Sequence, residues 1–171
     1  MGRLTMITGG ARSGKSTHAL VRASTYAGPR AYVATAEALD EEMRARINAH
    51  KAERGGGWET FEEPLNLADL LHDIGGTHDV ILIDCLTLWL SNVMLKGLDP
   101  AGEAEALVEA LSSAEADVFV VTNEVGMGIV PENDLARAFR DHAGTLNRKV
   151  AEAADEVVLT VAGIPLWLKP Q

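Results

Sequence analysis

Apolar residues in this chain gather in short continuous runs parted by amphipathic stretches, and the alternation predicts the elements. "LTMIT" (4–8) is an apolar, β-branched run ending in glycines, and "STHALVRASTYA" (16–27) follows as an amphipathic helix. The Gly28-Pro29 breaker leads into "AYVAT" (31–35), a second strand. A helix is predicted from about Asp40 to Arg54, with Asp40, Glu41 and Glu42 at its positive N-terminal end. "GGGW" stops that helix, and "WETFEE" (58–63) alternates as an exposed or edge strand does. Leu65 to Ile74 reads as a short helix and "DVILID" (79–84) as a near-continuous apolar strand. Helices are expected over 86–95 and 102–114, separated by the "KGLDPAG" break. "DVFVVTN" (117–123) is another buried-type strand, 134–153 a long helix, and "EVVLTVAG" (156–163) a last strand on which "IPLWLK" can fold back as a hairpin.

Continuous apolar strands alternating with helices imply a parallel sheet covered on both faces. The expected fold is a three-layer α/β domain with a mainly parallel sheet whose central strands include 4–8, 79–84 and 117–122. No repeat, linker or low-complexity tract divides the chain, so residues 1–171 are read as one domain. At this length a chain buries about two-thirds of its unfolded surface.

Charge changes the picture by exclusion. A formal charge of −10 argues against a general nucleic-acid or anionic-membrane binder, since both need a basic footprint. Arg44, Arg46, Lys51 and Arg54 therefore stand out as a local basic cluster. The lone Cys85 excludes an internal disulfide and fits a reducing cytoplasm. No signal peptide is expected before the first strand, and no apolar run approaches the roughly 18 residues of a membrane span.

The first chemical signal is "GGARSGKS", Gly9 to Ser16, matching G-x-x-x-x-G-K-[ST] between a strand and a helix. Its residues are Gly9, Gly10, Ala11, Arg12, Ser13, Gly14, Lys15 and Ser16. Glycines let the backbone wrap phosphates with several N–H groups inward. Lys15 would reach the β- and γ-phosphates, and Ser16 would offer its hydroxyl to Mg²⁺. A glycine-rich turn that binds nothing is the alternative, and the full strand-loop-helix context makes a chance match rare. The second signal is Asp84, a carboxylate closing the apolar strand "VILID", the Walker-B arrangement beside a P-loop. Capping of the helix that starts near Leu86 is the competing reading. With the P-loop present, Ser16 and Asp84 form the candidate metal pair of a three-layer, RecA-like P-loop NTPase domain.

The third signal is "RINAHKAER" (46–54), which sets His50 four residues from Arg46 and four from Arg54. In a helix these positions share one face, giving a cationic stripe with a titratable nitrogen at its centre. A neutral imidazole is a nucleophile toward phosphorus, and an imidazolium is not. Two guanidinium groups disfavour the charged form, pushing a pKa of about 6.5 downward. The same cations would stabilise charge on a phosphate in the transition state. A solvated helix face with i,i+4 patterning explains the stripe as well. His18 lies in the P-loop helix, whereas His72, His78 and His142 carry no motif around them.

The chain resembles the bifunctional adenosylcobinamide kinase/adenosylcobinamide-phosphate guanylyltransferase family of cobalamin biosynthesis. The resemblance runs through "TGGARSGKS", "YVATA", "DEEMRARINAHKAER", "WETFEEP", "LIDCLTLWLSN", "VTNEVGMGIVPEN" and "ARAFRDHAGTLNRKVAEAADEV". It is poor only over roughly 95–116, read as a variable helical excursion. The resemblance implies that one P-loop site serves two reactions. ATP or GTP would phosphorylate the hydroxyl of the aminopropanol arm of adenosylcobinamide. GTP would then guanylylate a histidine, and the GMP would pass to adenosylcobinamide phosphate, giving adenosylcobinamide-GDP. The family histidine follows "R-I-x-x-H", which falls on His50. The same matching implies nucleotide contacts at Gly9 to Ser16, at Val33, Ala34 and Thr35, at Lys51, Ala52, Glu53 and Arg54, and at Glu62 and Asp84. Asp84 stands where some members carry a glutamate. The resemblance further implies Mg²⁺ as cofactor, a cytoplasmic enzyme and a homotrimer. A P-loop kinase for another small alcohol and a non-catalytic nucleotide-binding module are the two other classes, and neither needs His50.

Overall fold

The computed structural model describes residues 1–37, 41 and 56–170. The helix expected over Asp40 to Arg54 lies outside the described residues. In chain order the described elements are β1 (Leu4–Gly9), α1 (Lys15–Ala23), β2 (Arg30–Ala34), β3 (Glu59–Glu62), α2 (Leu67–Ile74), β4 (Val80–Asp84), α3 (Leu86–Leu95), α4 (Pro100–Ser113), β5 (Asp117–Val121), α5 (Asp134–Ala153), β6 (Glu156–Val161) and β7 (Ile164–Lys169).

The strands form one sheet in the order β3-β2-β4-β5-β1-β6-β7. All neighbouring pairs are parallel except β6 with β7, the expected hairpin. The three strands expected at the centre, β4, β5 and β1, do lie side by side there. "WETFEE" supplies the edge strand β3, with only Phe61 part-buried. Parallel pairing puts the carboxyl ends of six strands on one edge of the sheet, where α/β folds hold ligands.

Alternation along each strand feeds two apolar layers. Leu4, Met6, Val33, Ile81, Ile83, Val118 and Val120 pack with α2 to α5. Ile7, Tyr32, Ala34, Leu82, Phe119, Val121 and Val158 pack with Ala19 and Ala23 of α1 on the other face. This is the three-layer arrangement the sequence predicts.

Among the boundaries that differ from expectation, two have a plain local reason. The first helix stops at Ala23 instead of 27, because Thr25 and Tyr26 turn back onto Arg22 and Ala23. Tyr26 then reaches Asp117 and packs edge-on against Phe119, a tertiary contact that periodicity does not show. The fourth helix starts at Pro100, not 102. Asp99 accepts hydrogen bonds from Ala101 N and Gly102 N, and proline fits the first helical turn.

Candidate active site

The loop between β1 and α1 meets three conditions for wrapping phosphate. Gly9 has φ +148°, and a Cβ there would lie 2.4 Å from the Thr160 carbonyl oxygen, so only glycine fits. Gly14, the α1 N-cap, has φ +93°, and its hydrogen side faces Gly163. No side chain caps α1 and no acidic residue stands in its first turn, so its N–H groups and positive end remain open to an anion.

A second strand pair braces the loop from outside. Ser13 Oγ lies 2.8 Å from Thr160 Oγ1, and Gly163 N donates to the Ser13 carbonyl at 2.9 Å. The β6–β7 turn, with Ala162 and Gly163 at positive φ, therefore props the loop. These supports were not legible as site residues. A glycine in a hairpin turn signals a turn, and nothing in its spacing points to a loop 150 residues earlier in the chain.

Lys15 is buried, and its Nζ donates to the Gly10 carbonyl at 2.5 Å and to Ser13 Oγ at 3.5 Å. Burial lowers its pKa from the ordinary lysine value, while Cys85 and Asp84 oppose that shift. Burial pushes the Cys85 thiol up to about 11. A lysine resting on one carbonyl and one hydroxyl of its own loop is a cation held where phosphate oxygens would replace those partners.

Asp84 closes β4 and is half-buried, and its Oδ2 accepts from Tyr32 Oη at 3.0 Å. Thr35 sets its position. The Thr35 hydroxyl donates to the Cys85 carbonyl at 2.7 Å and accepts from Cys85 N at 2.8 Å. Asn92 Nδ2 in turn donates to the Thr35 carbonyl at 2.8 Å. Val33, Ala34 and Thr35 are all buried, with Thr35 wholly so. Thr35 thus clamps the ends of β2 and β4 together beneath the site. Glu62 lies exposed at the carboxyl end of β3, two strands from Asp84. His50, Lys51, Ala52, Glu53 and Arg54, with Arg46, lie outside the described residues.

His18 turns away from the loop. Its ring stands edge-on to Trp167 at 6.2 Å, and its Nε2 is buried without a partner among the described residues. Burial, more than Arg22, lowers its pKa. On the far side, Glu124 N donates to the Gly9 carbonyl at 3.0 Å, which brings the "NEVGMGIVPEN" loop beside the P-loop. Among the described residues no cluster of three or more His, Cys, Asp or Glu could cage a metal. One hydroxyl and one carboxylate suit an ion held mainly by phosphates and waters.

Comparison with known proteins agrees with this geometry. The model of a family described as cobinamide kinase / cobinamide phosphate guanyltransferase matches residues 5–168. The bifunctional adenosylcobalamin biosynthesis protein CobP of Pseudomonas aeruginosa is 45% identical over 167 residues, 96% of each chain. The bifunctional adenosylcobalamin biosynthesis proteins CobU of Salmonella typhimurium and Escherichia coli are 42% and 40% identical, covering 96% of this chain and 98% of theirs.

Proposed function

Since this chain belongs to the cobinamide kinase / cobinamide phosphate guanyltransferase family, we propose that it carries out both reactions at one P-loop site. It phosphorylates adenosylcobinamide with ATP or GTP, then transfers GMP from GTP to adenosylcobinamide phosphate, giving adenosylcobinamide-GDP. The observation that carries this reading is Lys15, a buried ammonium on Gly10 and Ser13 at the mouth of an uncapped helix, facing Asp84.

In the kinase step the acceptor hydroxyl attacks the γ-phosphorus, the bond to the β-phosphate bridging oxygen breaks, and the hydroxyl proton leaves. Lys15 shifts from the Gly10 carbonyl to the β- and γ-oxygens, and the α1 N-terminus holds the β-phosphate. Asp84 and Glu124 are the two candidates for taking the proton, neither favoured over the other. Ser16 and Asp84 would hold Mg²⁺. Asp84 Oδ1 accepts no hydrogen bond among the described residues, which supports that fit. The ion would supply positive charge against the phosphates.

In the second reaction His50 attacks the α-phosphorus of GTP and pyrophosphate leaves. A phosphate oxygen of adenosylcobinamide phosphate then attacks the same phosphorus, and the imidazole departs. Arg46 and Arg54 stand four residues before and after His50 in the sequence, a spacing that supports His50 as the nucleophile. Both nucleotides use Gly9 to Ser16, with the 33–35, 51–54 and Glu62 positions around them. The whole chain, 1–171, acts as one domain.

The protein is proposed to act as a homotrimer, and the exposed apolar edge strand β7, with Ile164, Leu166 and Leu168 uncovered, supports association between copies. A buried free thiol and the absence, among the described residues, of a helix able to cross a membrane support a cytoplasmic location.

His50→Ala tests the reading. Incubation of the wild-type protein with GTP should add one GMP to its mass, as a phosphoramidate labile in acid and stable in base. The variant should form no adduct and transfer no GMP, yet keep ATP-dependent kinase activity, which needs no protein nucleophile. An acid-stable adduct, or one formed by the variant, defeats the assignment.

A further inference from the structure

Between β5 and α5 the chain exposes apolar side chains where a loop would ordinarily be polar. Ile129 is 97% exposed and Met127 82%, with Val130 also uncovered. The loop bearing them is fastened at both ends. At its start, Asn123 N donates to Thr87 Oγ1 at 2.8 Å, and Asn147 Nδ2 donates to the Asn123 carbonyl at 3.0 Å. Thr122 Oγ1 donates to Asn147 Oδ1 at 2.7 Å within the same buried network. At its end, Arg137 Nη1 donates to the carbonyls of Pro131 and Glu132, and Asn133 caps α5 through Ala136 N. A buried polar network at the root of a loop fixes its path. The apolar tip is therefore held out in a set position.

The place of that loop decides its occupant. It leaves β5, the strand between the P-loop strand β1 and the Asp84 strand β4. Its Glu124 N is bonded to Gly9, the first residue of the phosphate loop. A molecule delivering a hydroxyl to the γ-phosphate has to lie against this loop. A corrinoid is a broad, rigid macrocycle with methyl-studded faces and amide arms, so an apolar platform suits the ring while one arm reaches the phosphates.

We infer that Met127, Ile129 and Val130 form the docking face for the corrinoid ring of the acceptor in both transfers. The inference rests on the proposed function and deepens it, since it names the surface that selects the acceptor. The phosphate-facing groups are Lys15, the open N-terminus of α1 and Asp84, and none of the three docking residues is among them.

The triple variant Met127→Ser, Ile129→Ser, Val130→Ser tests it in the kinase assay. The KM for adenosylcobinamide should rise at least tenfold, with the KM for ATP within twofold of wild type. Hydrogen exchange on the wild-type protein gives a second measurement that does not depend on the variant's folding. Amides of 126–130 should gain protection with adenosylcobinamide and none with ATP and Mg²⁺ alone. An unchanged KM for adenosylcobinamide, or protection elsewhere only, overturns the inference and leaves the proposed function standing. A variant that changes oligomeric mass while keeping its KM overturns it in favour of a contact between copies. Wild-type protein that binds no adenosylcobinamide in equilibrium dialysis overturns both readings together.

Discussion

At the amino-terminal edge of the sheet, the carboxylates have their donors within the chain. Asp117 accepts from Arg3 N at 2.7 Å and from Tyr26 Oη at 2.5 Å, and Asp155 accepts from Leu4 N at 2.8 Å. Glu156, 1% exposed, takes both Nη atoms of Arg22 and the indole N–H of Trp167. At the carboxyl-terminal edge polar groups are left with fewer partners. Asp84 takes a phenol hydroxyl, Lys15 rests on a carbonyl of its own loop, and the buried Thr8 hydroxyl has no partner among the described residues. Buried polar groups are ordinarily matched, so an edge that leaves them unmatched is one completed by something brought in. One edge stabilises the fold, and the other is poised for a ligand.

The largest effect that tests this contrast is Lys15→Ala. Removing the cation from the poised edge should cut kcat/KM by about 10³-fold in both phosphoryl and guanylyl transfer. Label transfer from γ-³²P-ATP and from α-³²P-GTP measures the two separately. The melting temperature should hold, because the ammonium's burial already works against its charge. If either transfer survives at wild-type rate, a second triphosphate site exists and the single-site reading falls.

Arg22→Ala should act in the opposite sense. Glu156 would lose its cation while staying buried, a change that costs about 3 kcal/mol. Urea unfolding should show that loss, and kcat/KM under folding conditions should stay within twofold. A variant of normal stability would mean that the indole of Trp167 suffices for the carboxylate. A stable but inactive variant would erase the distinction between the edges.

How much of this was legible in the sequence follows from how each feature is encoded. The P-loop and Asp84 could be read because their chemistry is local. Glycine spacing, a lysine and a strand-ending aspartate all sit within a few residues of the elements that place them. The layer order was legible too, since apolar runs that alternate with amphipathic helices bury both sheet faces. Thr160, Gly163, Tyr32 and Asn147 were not legible as site supports. Each joins the site through a contact made only after strands distant in sequence pair, as Ser13 with Thr160 or Tyr32 with Asp84. Thr35 was read as a nucleotide contact from resemblance, and its hydroxyl proves committed to the Cys85 backbone. Nothing local distinguishes a threonine that faces a ligand from one that ties two strands.

The smallest test uses two tyrosine–aspartate pairs, one at each edge. Tyr26 donates to Asp117 at 2.5 Å in the matched edge, and Tyr32 donates to Asp84 at 3.0 Å in the poised one. Burial, and then the hydrogen bond and charge of Asp117, push the Tyr26 hydroxyl up to about 12. Folding therefore favours the protonated phenol over its ordinary pKa of about 10. The sign follows by linkage, because a raised folded pKa gives stability that is complete below the unfolded value. That contribution fades as pH climbs from about 10 toward the folded value of about 12. Tyr26→Phe removes the titrating proton and the bond, at a cost of about 1–2 kcal/mol near neutral pH. Urea midpoints of wild type and variant, taken from pH 8 to 11.5, should converge as Tyr26 ionises. Lysines and the other tyrosine titrate in both proteins and cancel in the difference. A gap that stays constant across that range would show that the Tyr26–Asp117 bond does not stabilise the fold, and the matched edge would lose one of its pairs.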